Sequence, residues 1–247
     1  MRIVRRKREL MTTFETIDYN PLEQRLGYVF TDKILILQAI THRSYLNEHS
    51  DFPYDHNERL EFLGDAVLEL VVTENLYLNY PNPEGELTNW RAALVNAKTL
   101  AGIATKLQFE EYLLLSKGEA KDKNSKARMY ILANAIEAII GAIYLDGGWD
   151  GAKKFIDAHI LSILPNILEN KLYIDPKSRF QETSQELMGI TPTYKVLKEI
   201  GPDHNKEFTV GVFLDKELIA VGSGTSKQEA QISAAEAGLE AKHWDIK

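Results

Sequence analysis

The spacing of apolar residues changes once along this 247-residue chain, near residue 169, and that change constrains the fold more than any other feature. From about Tyr19 to Leu168, apolar residues recur at helical spacing and are interrupted by turn sequences such as "YPNPEG" and "LDGGWDG". No stretch in this part alternates convincingly with the period of a strand. We therefore expect an all-α domain over residues 19–168, with long helices near residues 58–79, 88–107, 129–146 and 150–168.

The chain after residue 168 has a different pattern. "ENKLYIDPKS" contains a proline and polar residues that are typical of a linker, which we place at residues 169–176. One helical segment, three short β-branched segments and a closing helix then follow. The order α-β-β-β-α predicts a small α+β domain over residues 177–247.

Composition limits the kind of protein that this chain can be. It has 44% hydrophobic and 26% charged residues, as is usual for a globular protein, and no cysteine. The absence of cysteine excludes disulfides, thiolate metal sites and cysteine catalysis. No uninterrupted apolar run approaches the length of a membrane span, so we expect a soluble cytoplasmic protein that does not associate with membranes. The basic start, residues 1–18 with "RRKR", is expected to be a disordered extension, with contact to polyanions as the alternative.

The segment "HNERLEFLGDAV" places three acids in a stretch that is otherwise largely apolar. At about 100° per residue, Glu58, Glu61 and Asp65 lie within about 60° of one another on one helix face. Because the rest of this helix is apolar nearly all round, we expect it to be buried. Buried carboxylates must be protonated, paired with cations or bound to a metal ion. The alternative is a solvated acidic face with ordinary ion pairs.

A second segment, "ILANAIEAIIGAIYLDGG", places Asn134 and Glu137 on one helix face, and Gly141 continues that face and permits close approach. A cation shared with the acids of the first helix is the simplest match for Glu137. Oxygen ligands from two helices suit Mg²⁺ or Mn²⁺ rather than zinc. Glu84, in "PEGEL", could be a further acid of this site, but its spacing alone favours an acid in the cap region of a helix. The net charge of −7 does not exclude a nuclease, which can gather divalent cations in an acidic site.

These segments resemble a known family. "HNERLEFLGDAVL" is similar to the signature of ribonuclease III, and "ILANAIEAIIGAIYLDGG" to the second acidic motif of that family. "THRSY" and "LTNWRAALVNAKTLA" resemble the blocks that precede the signature and lie between the two acidic motifs. The last part of the chain resembles a double-stranded RNA-binding domain. The resemblance implies an all-α ribonuclease III catalytic domain followed by a small α+β double-stranded RNA-binding domain.

The resemblance also implies roles for the acids. The central catalytic carboxylates of the family correspond to Glu61, Asp65 and Glu137, and the resemblance implies that these residues bind Mg²⁺, with Mn²⁺ as a substitute. Asn134 stands where the family commonly has Asp, so we expect it to remain a metal ligand with somewhat reduced affinity. Further acidic positions of the RNA-processing centre correspond to Glu58 and Glu84.

Three elements of the C-terminal part match RNA-binding positions of the family. A-form RNA is recognised by the shape of its grooves, its 2′-hydroxyls and its phosphates. The matching residues are Gln181 and Gln185 on the first helix, His204 in the loop between strands, and Thr225, Ser226 and Lys227 at the start of the last helix. Gln228 stands where a second Lys is expected, so we expect weak phosphate binding by this domain.

The resulting expectation is an endoribonuclease that acts on double-stranded RNA as a homodimer. The resemblance implies 5′-phosphate and 3′-hydroxyl ends with short 3′ overhangs, and substrates such as rRNA precursors and structured mRNAs. One alternative is a catalytically idle double-stranded RNA-binding protein of the same fold. Another is a carboxylate-helix nucleotide pyrophosphatase, which would need no C-terminal domain.

Overall fold

The computed structural model describes residues 18–122, 125–202 and 206–244. It divides into two compact units, which meet between Asn166 and Ile167. The helices up to and across this boundary are α1 (Asn20–Leu26), α2 (Lys33–Ala39), α3 (Arg43–Glu48), α4 (Glu58–Asn79), α5 (Glu84–Val95), α6 (Ala97–Lys106), α7 (Lys117–Lys121), α8 (Lys126–His159) and α9 (Leu164–Glu169), with short 3₁₀ turns at Phe109–Glu111 and Leu161–Ile163.

The helices differ from the predicted ones at three places. The helix expected over residues 88–107 is divided at Asn96, whose extended backbone ends α5 and whose side chain accepts a hydrogen bond from Thr99 N at 2.9 Å to begin α6. The break expected in "LDGGWDG" is a kink inside α8, because Gly148 has a φ of 66° that an α-helix does not permit. These two differences come from local capping and turn chemistry. The helix expected over residues 150–168 ends at His159, and a 3₁₀ turn at Leu161–Ile163 separates it from α9.

The core of the first unit lies where α4 packs against α8. Val71 and Val72 of α4 and Ile136, Ile139 and Ile140 of α8 are fully buried. By length and composition the helical stretch Lys126–Glu169 could cross a membrane, but 61% of its most apolar window is buried inside the fold. That burial is typical of the central helix of a globular domain.

The expectation that α4 is buried all round is wrong. Phe62 is 81% exposed, and Leu70, Tyr77 and Leu78 are also exposed. These side chains lie away from the contact with α8, and nothing within the described part of this unit covers them. An exposed apolar strip of this kind on a helix is typical of a surface that binds another molecule.

The second unit has the predicted α-β-β-β-α order. Its elements are α10 (Pro176–Met188), β1 (Thr193–Ile200), β2 (Glu207–Leu214), β3 (Glu217–Gly224) and α11 (Lys227–Ala241). The antiparallel sheet has the order β1-β2-β3, and the register shifts at Leu197 of β1 and Ile219 of β3. Phe180 of α10, Val210 and Val212 of β2 and Ala234 of α11 form its core.

Two of the predicted features fall wholly or largely on undescribed residues. The basic N-terminal extension, residues 1–18, lies outside the described residues except for Asp18. His204, in the loop between β1 and β2, also lies outside them.

Candidate active site

Two glycines bring α4 and α8 into backbone contact. A Cβ atom on Gly64 would overlap the carbonyl group of Glu137, and one on Gly141 would overlap the carbonyl group of Leu60. The contact therefore tolerates no side chain at either position. Because Gly64 lies between Glu61 and Asp65 in α4, this crossing places the acids of α4 next to Glu137 of α8.

The carboxylates at the crossing perturb one another. Burial, then the charges of Asp65 and Glu61, raise the pKa of Glu137 to about 7. The pKa of Glu61 is also raised, first by burial and then by the charge of Glu58, with a smaller contribution from Asp65. A pair of partly buried acids with raised pKa values is typical of a functional centre.

Asn134 takes a definite part in this cluster. Its side-chain amide forms a hydrogen bond with Glu61. This bond lowers the pKa of the Glu61 carboxyl, whereas burial and the charges of Glu58 and Asp65 raise it. An amide N–H can donate to a carboxylate, whereas an ionised Asp at the same position could not. Asn134 therefore holds Glu61 while its amide oxygen is left as an acceptor.

The donor set fits a hard divalent cation in its chemistry. Three carboxylates and one amide supply only oxygen ligands, which Mg²⁺ and Mn²⁺ prefer. Burial first, and then the charges of Asp65 and Glu61, raise the pKa of Glu137, and a bound cation would offset both effects. Across residues 18–122, 125–202 and 206–244, no three His, Cys, Asp or Glu side chains are arranged closely enough to hold a metal ion as they stand.

Glu58, at the start of α4, lies beside a guanidinium and an imidazole. Arg43 Nη1 lies 3.3 Å from Glu58 Oε1, and His56 Nδ1 lies 3.8 Å from Glu58 Oε2. Both Arg43 and Glu58 are well exposed, with 68% and 45% of their side-chain surface accessible. Glu58 thus lies at the solvent-facing edge of the acidic cluster.

Glu84 lies away from the other acids within this unit. It is the first residue of α5, beyond the far end of α4, and Asp65 is separated from that end by fourteen residues, or about 21 Å of helix. Its Oε1 accepts a hydrogen bond from Thr88 Oγ1 at 3.0 Å. It lines an open pocket of about 640 Å³ together with Tyr77, Tyr80 and Arg91. The geometry of a single chain does not join it to the acidic cluster.

On the second unit, the two glutamines predicted to contact RNA are solvent-accessible. Gln181 and Gln185 are exposed on α10, while Phe180 and Ser184 of the same helix are buried. Gln185 Nε2 donates to Thr191 Oγ1 at 3.2 Å. Both amides can therefore meet the groove of a duplex.

The start of α11 already contains a carboxylate. Ser226 caps the helix and accepts from Glu229 N at 3.1 Å, and Thr225 donates from both N and Oγ1 to Glu229 Oε2, at 2.9 and 2.6 Å. Lys227 extends over the ring of Phe208, 5.7 Å from its centroid. Free N–H groups and the positive end of the dipole attract phosphate at the start of a helix. Here Ser226 and the carboxylate of Glu229 already satisfy part of that attraction.

Sequence reasoning missed several residues of these sites. Gly64, Arg43 and His56 were not singled out, although Gly64 lies within the acidic signature. The position of Gly64 between Glu61 and Asp65 could have indicated a close helix contact, because only a glycine on that face permits two backbones to touch. Arg43 and His56 gave no such signal, since their approach to Glu58 depends on tertiary structure.

The chain is similar to known proteins over most of its length. Residues 32–164 match the Ribonuclease-III-like family, and residues 176–242 match the double-stranded RNA binding motif. Ribonuclease 3 of Sulfurovum sp. is 44% identical over 225 residues, which cover 91% of this chain and 98% of that protein. Ribonuclease 3 of Natranaerobius thermophilus is 46% identical over 222 residues, with 90% and 95% covered.

A solved structure is also similar. The nuclease domain of ribonuclease III from Campylobacter jejuni is 43% identical, aligns with a TM-score of 0.53, and covers 60% of this chain and 99% of its own. Sequence, domain order and fold therefore agree, and the chain belongs to the ribonuclease III family.

Proposed function

We propose that this protein is a divalent-metal-dependent endoribonuclease that hydrolyses phosphodiester bonds of double-stranded RNA. The products we propose are 5′-phosphate and 3′-hydroxyl ends with short 3′ overhangs. The observation that carries the proposal is the crossing of α4 and α8 at Gly64 and Gly141, which sets Glu61, Asp65 and Glu137 together in a chain of this family. The proposed substrates in the cytoplasm are rRNA precursors and structured mRNAs.

The proposed metal ligands are Glu61, Asp65, Asn134 and Glu137, and the proposed metal is Mg²⁺, with Mn²⁺ as a substitute. Held by these residues, the cation would supply a water molecule of lowered pKa and would neutralise charge at the phosphate. Glu61 is oriented by the amide of Asn134. Glu58 is proposed as an accessory acid at the edge of the cluster, and Glu84 as a further one on the resemblance alone.

The second unit is proposed to hold the duplex. Gln181 and Gln185 would meet a minor groove, where 2′-hydroxyls are displayed. Thr225, Ser226 and Lys227 would meet phosphates, and His204 would enter a groove from its loop. Because Glu229 already engages Thr225, we expect the phosphate contacts of this helix to be weak.

The protein is proposed to act as a homodimer, with one strand cut at each site. Phe62 and Leu145 are exposed and border an open pocket of about 640 Å³ on the surface of α4. A two-fold contact places the same surface of both copies face to face. The exposed ring of each copy can then enter the pocket of the other copy. The apolar strip along α4 would then be buried.

Replacing Phe62 with Asp is expected to shift the protein from dimer to monomer, because a charge would be buried at the proposed interface. Light scattering on a size-exclusion column measures the change. Leu218→Asp alters an apolar residue of the second unit that is 46% exposed; it is the control and should leave the mass unchanged. A Phe62→Asp protein with the mass of the unmodified protein would contradict the proposed interface.

Incubation with long duplex RNA and Mg²⁺ tests the activity. We expect discrete cleavage products with 5′-phosphate ends from the unmodified protein and none from Glu137→Gln. Binding without cleavage by the unmodified protein would favour the idle RNA-binding alternative. Hydrolysis of nucleotides without cleavage of RNA would favour the pyrophosphatase alternative.

A further inference from the structure

Arg43 is a cation at the edge of an acidic site that must receive a polyanion. A duplex brings closely spaced phosphates toward Glu58, Glu61, Asp65 and Glu137, and their repulsion opposes binding. Within the part of the chain that the structure describes, Arg43 forms an ion pair with this cluster, at Glu58, and the imidazole of His56 lies 3.8 Å from the same carboxylate.

The backbone of Arg43 is firmly held. Asn57 N, just before α4, donates to Thr41 O at 2.9 Å, so the segments that carry Arg43 and Glu58 run side by side. His42 caps α3, its Nδ1 lies 2.8 Å from Ser44 Oγ, and that oxygen accepts from Ser116 N at 3.0 Å. The Cα position of Arg43 is therefore fixed relative to the start of α4.

The side chain of Arg43, in contrast, is held weakly. It makes one 3.3 Å contact with Glu58, and 68% of it is exposed. A guanidinium has five N–H donors, so most of them face solvent here. Exposed ion pairs of this kind contribute little to stability, and this one can open at small cost.

We infer that Arg43 binds a phosphate of the RNA strand at the active site, and that Glu58 holds its guanidinium at the rim of the acidic cluster until the duplex arrives. The planar fork of an arginine matches two phosphate oxygens, which a lysine cannot do. Arg43 is thus a positioning residue that adds one phosphate contact. The inference rests on the proposed function, since it requires RNA as the substrate.

Binding of a long RNA duplex to the full chain tests the inference, with Glu137→Gln present in every variant so that the RNA stays intact. Arg43→Gln is expected to weaken binding about fivefold and to reduce the slope of log affinity against log salt by about one. Arg25→Gln is the control, because it removes an arginine that makes a 3.3 Å ion pair with Glu111 elsewhere on the same unit; this side chain is 32% exposed and also lies over the ring of Tyr112. Equal losses for Arg43→Gln and Arg25→Gln would overturn the inference.

A double-mutant cycle separates a phosphate contact from a general effect of charge. Glu58→Gln should tighten binding about threefold, because it releases Arg43 for the phosphate. In an Arg43→Gln background, the same change should give no gain. An equal gain in both backgrounds would overturn the inference, because it would show that Glu58 acts by its charge alone.

Kinetics with Glu137 intact give a further readout. Arg43→Gln should raise KM about fivefold while changing kcat by less than about twofold, since the contact is made before the chemical step. A fall in kcat without a rise in KM would overturn the inference. If the unmodified protein neither binds nor cleaves duplex RNA, the proposed function is overturned. If it binds and cleaves, but Arg43→Gln behaves like Arg25→Gln, the inference alone is overturned.

Discussion

Replacing Glu137 with Gln is expected to abolish cleavage and, at the same time, to stabilise the metal-free protein above neutral pH. The pKa of Glu137 is raised to about 7 from an ordinary 4.5, so the folded chain keeps a proton there that the unfolded chain has released. Stability therefore falls as pH rises from about 4.5 to about 7 and then stays constant. Glutamine does not ionise, so the stability of the variant does not fall over this pH range.

The size of the stabilisation follows from the shift. A change of this magnitude corresponds to about 3 kcal/mol, and the partial solvent access of Glu137 reduces the expectation to about 1–2 kcal/mol. Thermal unfolding without divalent metal should show a Tm about 4 °C higher for the variant at pH 8 and little difference at pH 4.5. Mg²⁺ should raise the Tm of the unmodified protein more than that of the variant.

Glu74→Gln is the matched control for this experiment. It removes one negative charge from an exposed position on α4, and its Tm should follow that of the unmodified protein at both pH values. A Glu137→Gln protein that is less stable at pH 8 would show that Glu137 is a net stabilising group. A variant that cleaves RNA at the unmodified rate would remove Glu137 from the proposed metal ligands.

Replacing Gly64 with Ala is expected to damage both stability and activity. The new Cβ would overlap the carbonyl group of Glu137. That carbonyl belongs to the backbone of α8, so it cannot move aside as a flexible side chain could. The two helices must separate, so we expect a loss of about 3 kcal/mol or more, or a Tm lower by about 10 °C. Cleavage should fall about a hundredfold or more, because catalytic groups displaced by about 1 Å lose that much.

Gly102→Ala is the control for this substitution. Gly102 is an exposed glycine inside α6, and a Cβ there would have no neighbour within 4 Å. Alanine should stabilise this helix by up to about 1 kcal/mol and leave cleavage unchanged. If Gly64→Ala unfolded at the same temperature as the unmodified protein and cleaved at its rate, the close contact of α4 and α8 would be refuted.

Much of the fold could be predicted from the sequence because its signals are local. The change from helical to alternating spacing predicts the two kinds of fold, and the family comparisons confirm the fold class and the ribonuclease III resemblance. The division at Asn96 could not be predicted from apolar spacing, because it depends on one capping side chain. The exposure of Phe62 was missed for a different reason, since an apolar residue on a helix does not indicate which molecule covers it.

The candidate site was predictable in part. Spacing along one helix relates Glu61 to Asp65, and spacing along another relates Asn134 to Glu137, so each half is visible in the sequence. The hydrogen bond between Asn134 and Glu61 joins the two halves and depends on the packing of α4 on α8. The roles of all these residues remain predictions.

The register shifts at Leu197 and Ile219 have a consequence for solubility. They lie in β1 and β3, the two outer strands of the sheet, each of which presents unpaired N–H and C=O groups along its open side. A bulge bends and twists a strand, so another strand cannot pair with it along its full length. The small domain therefore carries, on both open edges, a built-in obstacle to sheet-to-sheet aggregation between protein molecules.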